Sequence, residues 1–140
     1  MMDLDYEQIE EELDLVIPDI YKIFIDAVNS AGFDLKKYRI YHNTETILIG
    51  NEKMRENLSD SLPPWQNHYF DFGVGDGCGN YFFLHANDEK VDQVQLWAHD
   101  PAGIEDVSTG TAFFQRLLKE LEIDFQGPDR YSFDGNRYWE

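Results

Sequence analysis

The chain has 140 residues, of which 42% are hydrophobic and 15% aromatic, and this composition predicts one globular domain over residues 1–140. Its 28 acidic residues against 11 basic ones give a formal net charge of −17 at pH 7. That charge would repel a phosphate backbone and an anionic membrane. We therefore expect neither nucleic acid nor a membrane as a partner.

The sequence also predicts where the protein works. Residues 1–13, MMDLDYEQIEEEL, carry acids and no basic stretch, which is not the pattern of a signal peptide. The apolar runs are only a few residues long, against the roughly 20 that a membrane-spanning helix needs. The single cysteine, Cys78, cannot form an internal disulfide and suits a reducing compartment. A cytoplasmic protein is the expectation.

The first third of the chain predicts a pair of helices. Asp5 and Gln8 form a capping-box pattern at the start of the first, and Pro18 and Gly32 suit the first turn and the end of the second. The apolar side chains recur at helical spacing, as Tyr6, Ile9, Leu13 and Val16, and then as Ile20, Ile23, Phe24, Ala27, Val28 and Ala31. The acids of the first helix would then form a solvated face.

The next segments are rich in aromatic and β-branched residues. Tyr38–Tyr41 and Thr46–Ile49 predict two strands, arranged as a hairpin around Asn43. Asn51–Leu62 is polar and predicts either one short helix or an irregular connection before Pro63.

A three-stranded antiparallel meander is predicted between Tyr69 and Val107. Its apolar runs are Tyr69–Phe72, Tyr81–Leu84 and Val91–Ala98. Asp76-Gly77 is a strong turn dipeptide, and alternating glycines from Gly73 to Gly79 allow a bulge or positive φ. The glycines lack the Lys-Ser/Thr of a phosphate-binding loop, so a nucleotide site is not expected.

The last part of the chain predicts a loop, a helix and a docked tail. Asp100–Asp106 is the loop, and Ser108 or Thr111 would cap a helix with the apolar stripe Phe113, Phe114, Leu117, Leu118 and Leu121. The aromatic residues of the tail would pack on the sheet. The predicted fold class is therefore α+β: a mostly antiparallel sheet with a central meander, flanked by an N-terminal helix pair and a C-terminal helix.

Catalytic and metal sites are weakly indicated. Cys78, His99 and Asp100 could act as nucleophile, base and orienting group, but no helix start lowers the pKa of the Cys78 thiol. The histidines lack the spacing of a metal pair, and the acids lack that of a calcium loop. We expect no cofactor and no metal, and a hydrolase using Cys78 or His99 remains only an alternative.

A protein-binding surface is better supported. Trp97 falls on the wetter side of its strand beside acidic loops, which is typical of an interface anchor, unless the tail or a helix covers it. The candidate partner-binding residues are Trp97, His99, Asp100, Glu105, Asp106, Asp76, Asp88 and Glu89. A basic protein partner would be attracted by this charge, although an acidic surface can also serve solubility alone.

Several short motifs, in order, carry a family resemblance over roughly residues 5–121. They are Pro18, Tyr21 and Phe24 with Ile17 where leucine is usual; Asp76, Gly77 and Gly79 before Tyr81–Leu84; Trp97, His99 and Asp100; and Val107, Ser108 and Phe113. Ser30 after Asn29 departs from the usual Asn-Gly. This arrangement resembles the SMI1/KNR4 family of the SUKH superfamily.

The resemblance implies helices packed around a mostly antiparallel sheet and a protein that binds other proteins without catalysis. Bacterial members commonly act as immunity proteins that neutralise toxins, often nucleases, and the small single domain looks more like that type. A regulatory or scaffold module without a toxin partner is the alternative. The resemblance leaves the partner's identity and the oligomeric state open.

Overall fold

A computed structural model describes residues 4–32, 39–56, 61–74, 79–87, 92–99 and 101–126, with side chains described as far as Leu121. The element order is α1 (Tyr6–Leu13), α2 (Asp19–Ala31), α3 (Thr44–Arg55), β1 (Tyr69–Val74), β2 (Tyr81–His85), β3 (Val94–His99), β4 (Ala102–Ser108) and α4 (Gly110–Gln126). The α+β class, the N-terminal helix pair and the C-terminal helix are confirmed. No helix in the described segments is both long enough and apolar enough to cross a membrane.

The sheet has four strands in the order β1-β2-β3-β4, and each neighbouring pair is antiparallel. The predicted meander is therefore confirmed, but the loop predicted over Asp100–Asp106 is wrong where the structure describes it. Residues 102–106 belong to β4, which pairs with β3 from His99↔Ala102 to Val94↔Ser108. Strand β4 is an edge strand and is mostly exposed. Its charged residues and its glycine are typical of an edge that is protected from pairing with another chain. The same residue types are common in loops, which is why the sequence predicted a loop here.

The hairpin predicted around Asn43 is also wrong, because residues 44–55 form α3. The Asn43 side chain accepts a hydrogen bond from the Thr46 N–H at 2.8 Å and so caps this helix. Ile47, Asn51 and Met54 are its buried residues. Of the strand predicted before it, Ile40 forms one antiparallel bridge to Gly73, at the outer edge of β1.

The N-terminal helices begin as predicted but bury slightly different residues. Asp5 Oδ1 accepts from the Gln8 N–H at 3.1 Å, and Gly32 ends α2 with φ +74°. Helix α1 stops at Leu13, because Asp14 adopts the left-handed conformation, so Val16 is exposed and its two neighbours are buried instead. The buried stripe of α2 is Tyr21, Phe24, Ile25 and Val28, which leaves Ile23 exposed.

One face of the sheet is closed by α2 and α4, and this packing forms the main core. Phe72 lies between the rings of Phe82, Phe113 and Phe114, with centroids 5.3–6.3 Å apart. The predicted apolar stripe of α4 is confirmed, but its cap is Thr109, whose Oγ1 accepts from the Ala112 N–H at 3.1 Å. The predicted Asp76-Gly77 turn and the aromatic tail lie outside the described residues.

Candidate functional site

The other face of the sheet, called here the second face, is only partly covered. Met54 at the end of α3, Phe83 of β2 and Trp97 of β3 form a separate buried cluster there. Leu62, Trp65, Tyr69 and Tyr81 pack around it and are partly buried. Trp65 stands edge-on to Tyr69 and to Phe83, at 5.2 and 5.3 Å between ring centroids.

Trp97 lies at the centre of this cluster and is only 2% exposed. Its indole Nε1–H donates to the carbonyl oxygen of Pro63 at 2.9 Å, which satisfies the polar end of the ring. The side chain is therefore covered by α3 and the segment that follows it and is not exposed to solvent. Cover by a helix was one of the alternatives that the sequence left open. A partner could reach only the edge of the ring.

A groove of about 390 Å³ opens beside Trp97. Its lining residues come from α3, the segment after it, and strands β2 and β3: Lys53, Met54, Glu56, Leu62, Gly79, Tyr81, Trp97 and His99. Met54, Leu62, Tyr81 and Trp97 provide apolar surface, whereas Lys53, Glu56 and His99 are polar. A concave apolar floor with a polar rim suits a protruding side chain from a partner.

The imidazole of His99 forms one wall of the groove. Asn80 Oδ1 accepts from the His99 backbone N–H at 3.2 Å and from ring Nδ1 at 2.9 Å, which fixes the ring and leaves Nε2 as its other polar atom. Gly79 has φ +95°, and a Cβ there would lie 3.2 Å from the His99 ring. A glycine is therefore required where the chain passes His99.

Strand β4 continues the second face beyond the groove. Ile104 pairs with Trp97 and Asp106 pairs with Gln95, so these side chains share the second face. Ile104 is 37% exposed and Asp106 is exposed. Glu105 is exposed as well, but it pairs with Leu96, whose side chain packs against the main core, and so it faces the other way.

The structure thus brings together three of the sequence-predicted site residues: Trp97, His99 and Asp106. Asp76, Asp88, Glu89 and Asp100 lie outside the described residues. The groove residues of α3 were not among the predicted site residues, because the sequence predicts a strand over Thr46–Ile49 and either one short helix or an irregular connection over Asn51–Leu62. The spacing of Met54, Leu58 and Leu62 is the signal that favours the helix.

A buried carboxyl group was also missed. Asp71 of β1 is 0% exposed, and its pKa is raised to about 8 by desolvation, although hydrogen bonds from the Gly73 N–H and the Tyr41 hydroxyl lower it. These bonds measure 3.2 and 3.1 Å. Asn51 supports the same point of the strand by bonding both the N–H and the carbonyl oxygen of Asp71, at 2.8 and 2.9 Å. The signal was an acid between two buried phenylalanines in FDFG.

Within the described segments, no group of three or more His, Cys, Asp or Glu side chains could hold a metal ion. Of the catalytic alternative, Cys78 and Asp100 fall outside those segments, and His99 Nδ1 is bonded to Asn80.

Comparison with curated proteins and with solved structures returned no match. The model of the SMI1 / KNR4 family (SUKH-1) matches residues 3–115, a range that includes α1, α2, α3 and all four strands. Because this match covers well over half of the chain, the protein belongs to the SMI1/KNR4 (SUKH-1) family.

Proposed function

We propose that this protein is an immunity protein that binds a basic toxin domain in the cytoplasm and neutralises it without catalysis of its own. Membership of the SMI1/KNR4 family supports a protein-binding role. The observation that carries the proposal is the net charge of −17, which is far larger than a domain of this size needs for solubility. A nuclease toxin, which must bind phosphate, has the opposite charge.

Acidic charge is dense on helix α1. Helix α1 carries Glu7, Glu10, Glu11 and Glu12 and no basic residue. Glu10 is paired with Lys22 at 3.2 Å, while the other three are exposed to solvent. Such a field accelerates the encounter with a basic partner and weakens with added salt.

The second face of the sheet is the proposed contact surface. Its groove offers apolar floor for one anchoring side chain of the toxin, and Asp106 and Ile104 extend the surface along β4. Of the residues predicted from the sequence, Trp97, His99 and Asp106 lie on this face, and Asp100, Asp76, Asp88 and Glu89 remain proposed contacts outside the described residues, whereas Glu105 faces the other way and would not touch a partner bound here. Of these, Trp97 would contribute through the shape of the groove, because its own exposed area is small. Covering the toxin's active-site face, or an exosite next to it, would exclude the substrate.

Co-expression with a candidate toxin, sought among the genes next to this one, tests the proposal. We expect the protein to restore growth and to form a complex whose affinity falls as salt rises. The double variant Ile104→Lys/Asp106→Lys should weaken the complex at least tenfold. Asp19→Lys/Asp26→Lys is a control, because both acids are exposed on α2, against the opposite face of the sheet.

The outcomes separate the parts of the proposal. If the protein gives no protection and forms no complex at low salt, the immunity function is refuted. Equal loss in both double variants would keep the function and the role of charge but would reject the second face as the contact surface.

A further inference from the structure

A chain of side-chain hydrogen bonds crosses the second face at the end away from the groove. His68 Nε2 lies 3.2 Å from His85 Nδ1, and His85 Nε2 lies 2.7 Å from Gln95 Oε1. Gln95 Nε2 in turn donates to Asp106 Oδ1 at 2.8 Å. The chain of hydrogen bonds starts just before β1 and passes through β2 and β3 to β4.

The contacts of Gln95 determine which nitrogen of His85 carries a proton. An Asp106 carboxylate can only accept, so the Gln95 amide must present its NH₂ to Asp106 and its oxygen to His85. His85 Nε2 therefore carries a proton. In the neutral form of this ring, His85 Nδ1 is the acceptor and His68 Nε2 donates the proton between the two rings.

This arrangement matches the surroundings of a metal-binding histidine. A ligating imidazole usually donates its second N–H to an oxygen that orients the ring, as His85 donates to Gln95. Two imidazole nitrogens on one tetrahedral zinc ion, each at about 2.0–2.1 Å, lie roughly 3.3 Å apart. The two nitrogens here are 3.2 Å apart.

The two rings are also held in place by their surroundings. The backbone carbonyl of His68 accepts from the Ala86 N–H at 2.7 Å, which holds His68 against the end of β2. The Tyr69 ring stands against both imidazoles, with centroids 4.9 Å from His68 and 5.3 Å from His85. His68 is exposed, so an ion can reach the pair, and the protein's net charge attracts cations.

We propose that His68 Nε2 and His85 Nδ1 form a two-histidine site for a divalent transition-metal ion that prefers imidazole, with zinc as the reference ion. The ion replaces the proton between the two nitrogens and lies to one side of the line that joins them, because each of its bonds to nitrogen is about 2.0–2.1 Å long. The neutral His68 ring changes tautomer, its proton moving from Nε2 to Nδ1 by exchange with solvent, so no net proton is released. Water fills the remaining positions, because only two protein ligands are present. Gln95 is a positioning residue, held by Asp106.

Calorimetric titration of the full chain with Zn²⁺, in excess Mg²⁺ to occupy exposed carboxylates, tests this site. We expect one saturable site, and at least a tenfold loss of affinity in His68→Ala and in His85→Ala. His99→Ala, which alters a histidine on the same face, is the matched control and should bind as the unaltered chain does. His68 is exposed, so its variant should fold even if the half-buried His85 proves important for stability.

Gln95→Leu tests the positioning role. Loss of the orienting acceptor should weaken zinc binding by about 10–100-fold, the usual cost of removing such a partner. In nitrogen NMR spectra of the rings, His85 should be a single Nε2–H tautomer in the unaltered chain and a tautomer mixture in Gln95→Leu. A merely structural glutamine would not change the tautomer. Absence of saturable binding, or binding that survives both histidine variants, would overturn the proposal.

Discussion

Replacing Asp71 by asparagine should change how stability depends on pH. The asparagine side chain has the same shape, so its oxygen can still accept from the Gly73 N–H, and its NH₂ can donate to the Tyr41 hydroxyl oxygen. It cannot ionise, however. The variant therefore removes the proton equilibrium of this buried group and keeps its packing.

The direction follows from where the proton is held. Burial raises the pKa of Asp71 from 3.8 to about 8, so between these values the native state holds a proton that the unfolded chain has released. The free energy of unfolding must then fall as pH rises, by on the order of 1 kcal/mol per pH unit. The stabilisation is complete below about pH 4 and is lost by about pH 8. Over the whole window the loss is on the order of 5 kcal/mol, a large part of the 5–15 kcal/mol typical of a domain.

Urea denaturation at a series of pH values measures this effect. We expect the stability of Asp71→Asn, relative to the unaltered chain, to rise steadily from about pH 4 to about pH 8 and then to level off. Taking the difference removes the contributions of the other titrating groups, which both proteins share. A flat curve for Asp71→Asn would show that the folded protein already ionises this carboxyl at acidic pH, and the reasoning would be wrong.

Four further substitutions test the fold and the groove. Asn43→Ala removes the cap of α3 and should lower the free energy of unfolding in urea by about 1 kcal/mol. Gly73→Ala should cost about 1–3 kcal/mol in the same assay, because its Cβ would lie 2.8 Å from a backbone oxygen; an unchanged melting temperature would contradict this. Trp97→Phe should cost about 1–3 kcal/mol, since it leaves the Pro63 carbonyl without its donor, whereas Ile104→Ser should stay within about 0.5 kcal/mol and weaken only partner binding.

The elements that the sequence predicted well are those whose local and tertiary signals agree. The strands of the meander combine aromatic and β-branched residues with burial, and α4 combines helical spacing with a continuous apolar stripe. The first half of helix α3 was predicted as a strand because its sequence, TETILI, has strand propensity. The Asn43 cap and the burial of Ile47 and Met54 stabilise the helix instead. Strand β4 was missed because an exposed edge strand has few buried residues and so lacks a hydrophobic pattern.

The candidate site was predictable in part, for a related reason. The alternation of residues along β3 correctly places Trp97 and His99 on one face of the strand. It cannot reveal that Met54 and Leu62 cover Trp97, because those residues come from a distant part of the chain. The contact between His68 and His85 also depends on strand register, since the two are 17 residues apart in the chain. Only the antiparallel pairing of β1 with β2 brings these rings together.

The main core lies on one face of the sheet and the proposed sites lie on the other, and this arrangement allows the tests above to be separated. The main core between the sheet and α2 and α4 contains most of the large buried side chains, whereas the buried cluster of the second face has three members. Changes at Ile104 and His68 alter exposed surface on the second face and leave the main core intact. Loss of partner binding or of zinc binding in these variants, at unchanged stability, would therefore report on the site itself. If instead each such change also lowered the free energy of unfolding by several kcal/mol, the second face would be structural, and both proposals for it would lose their support.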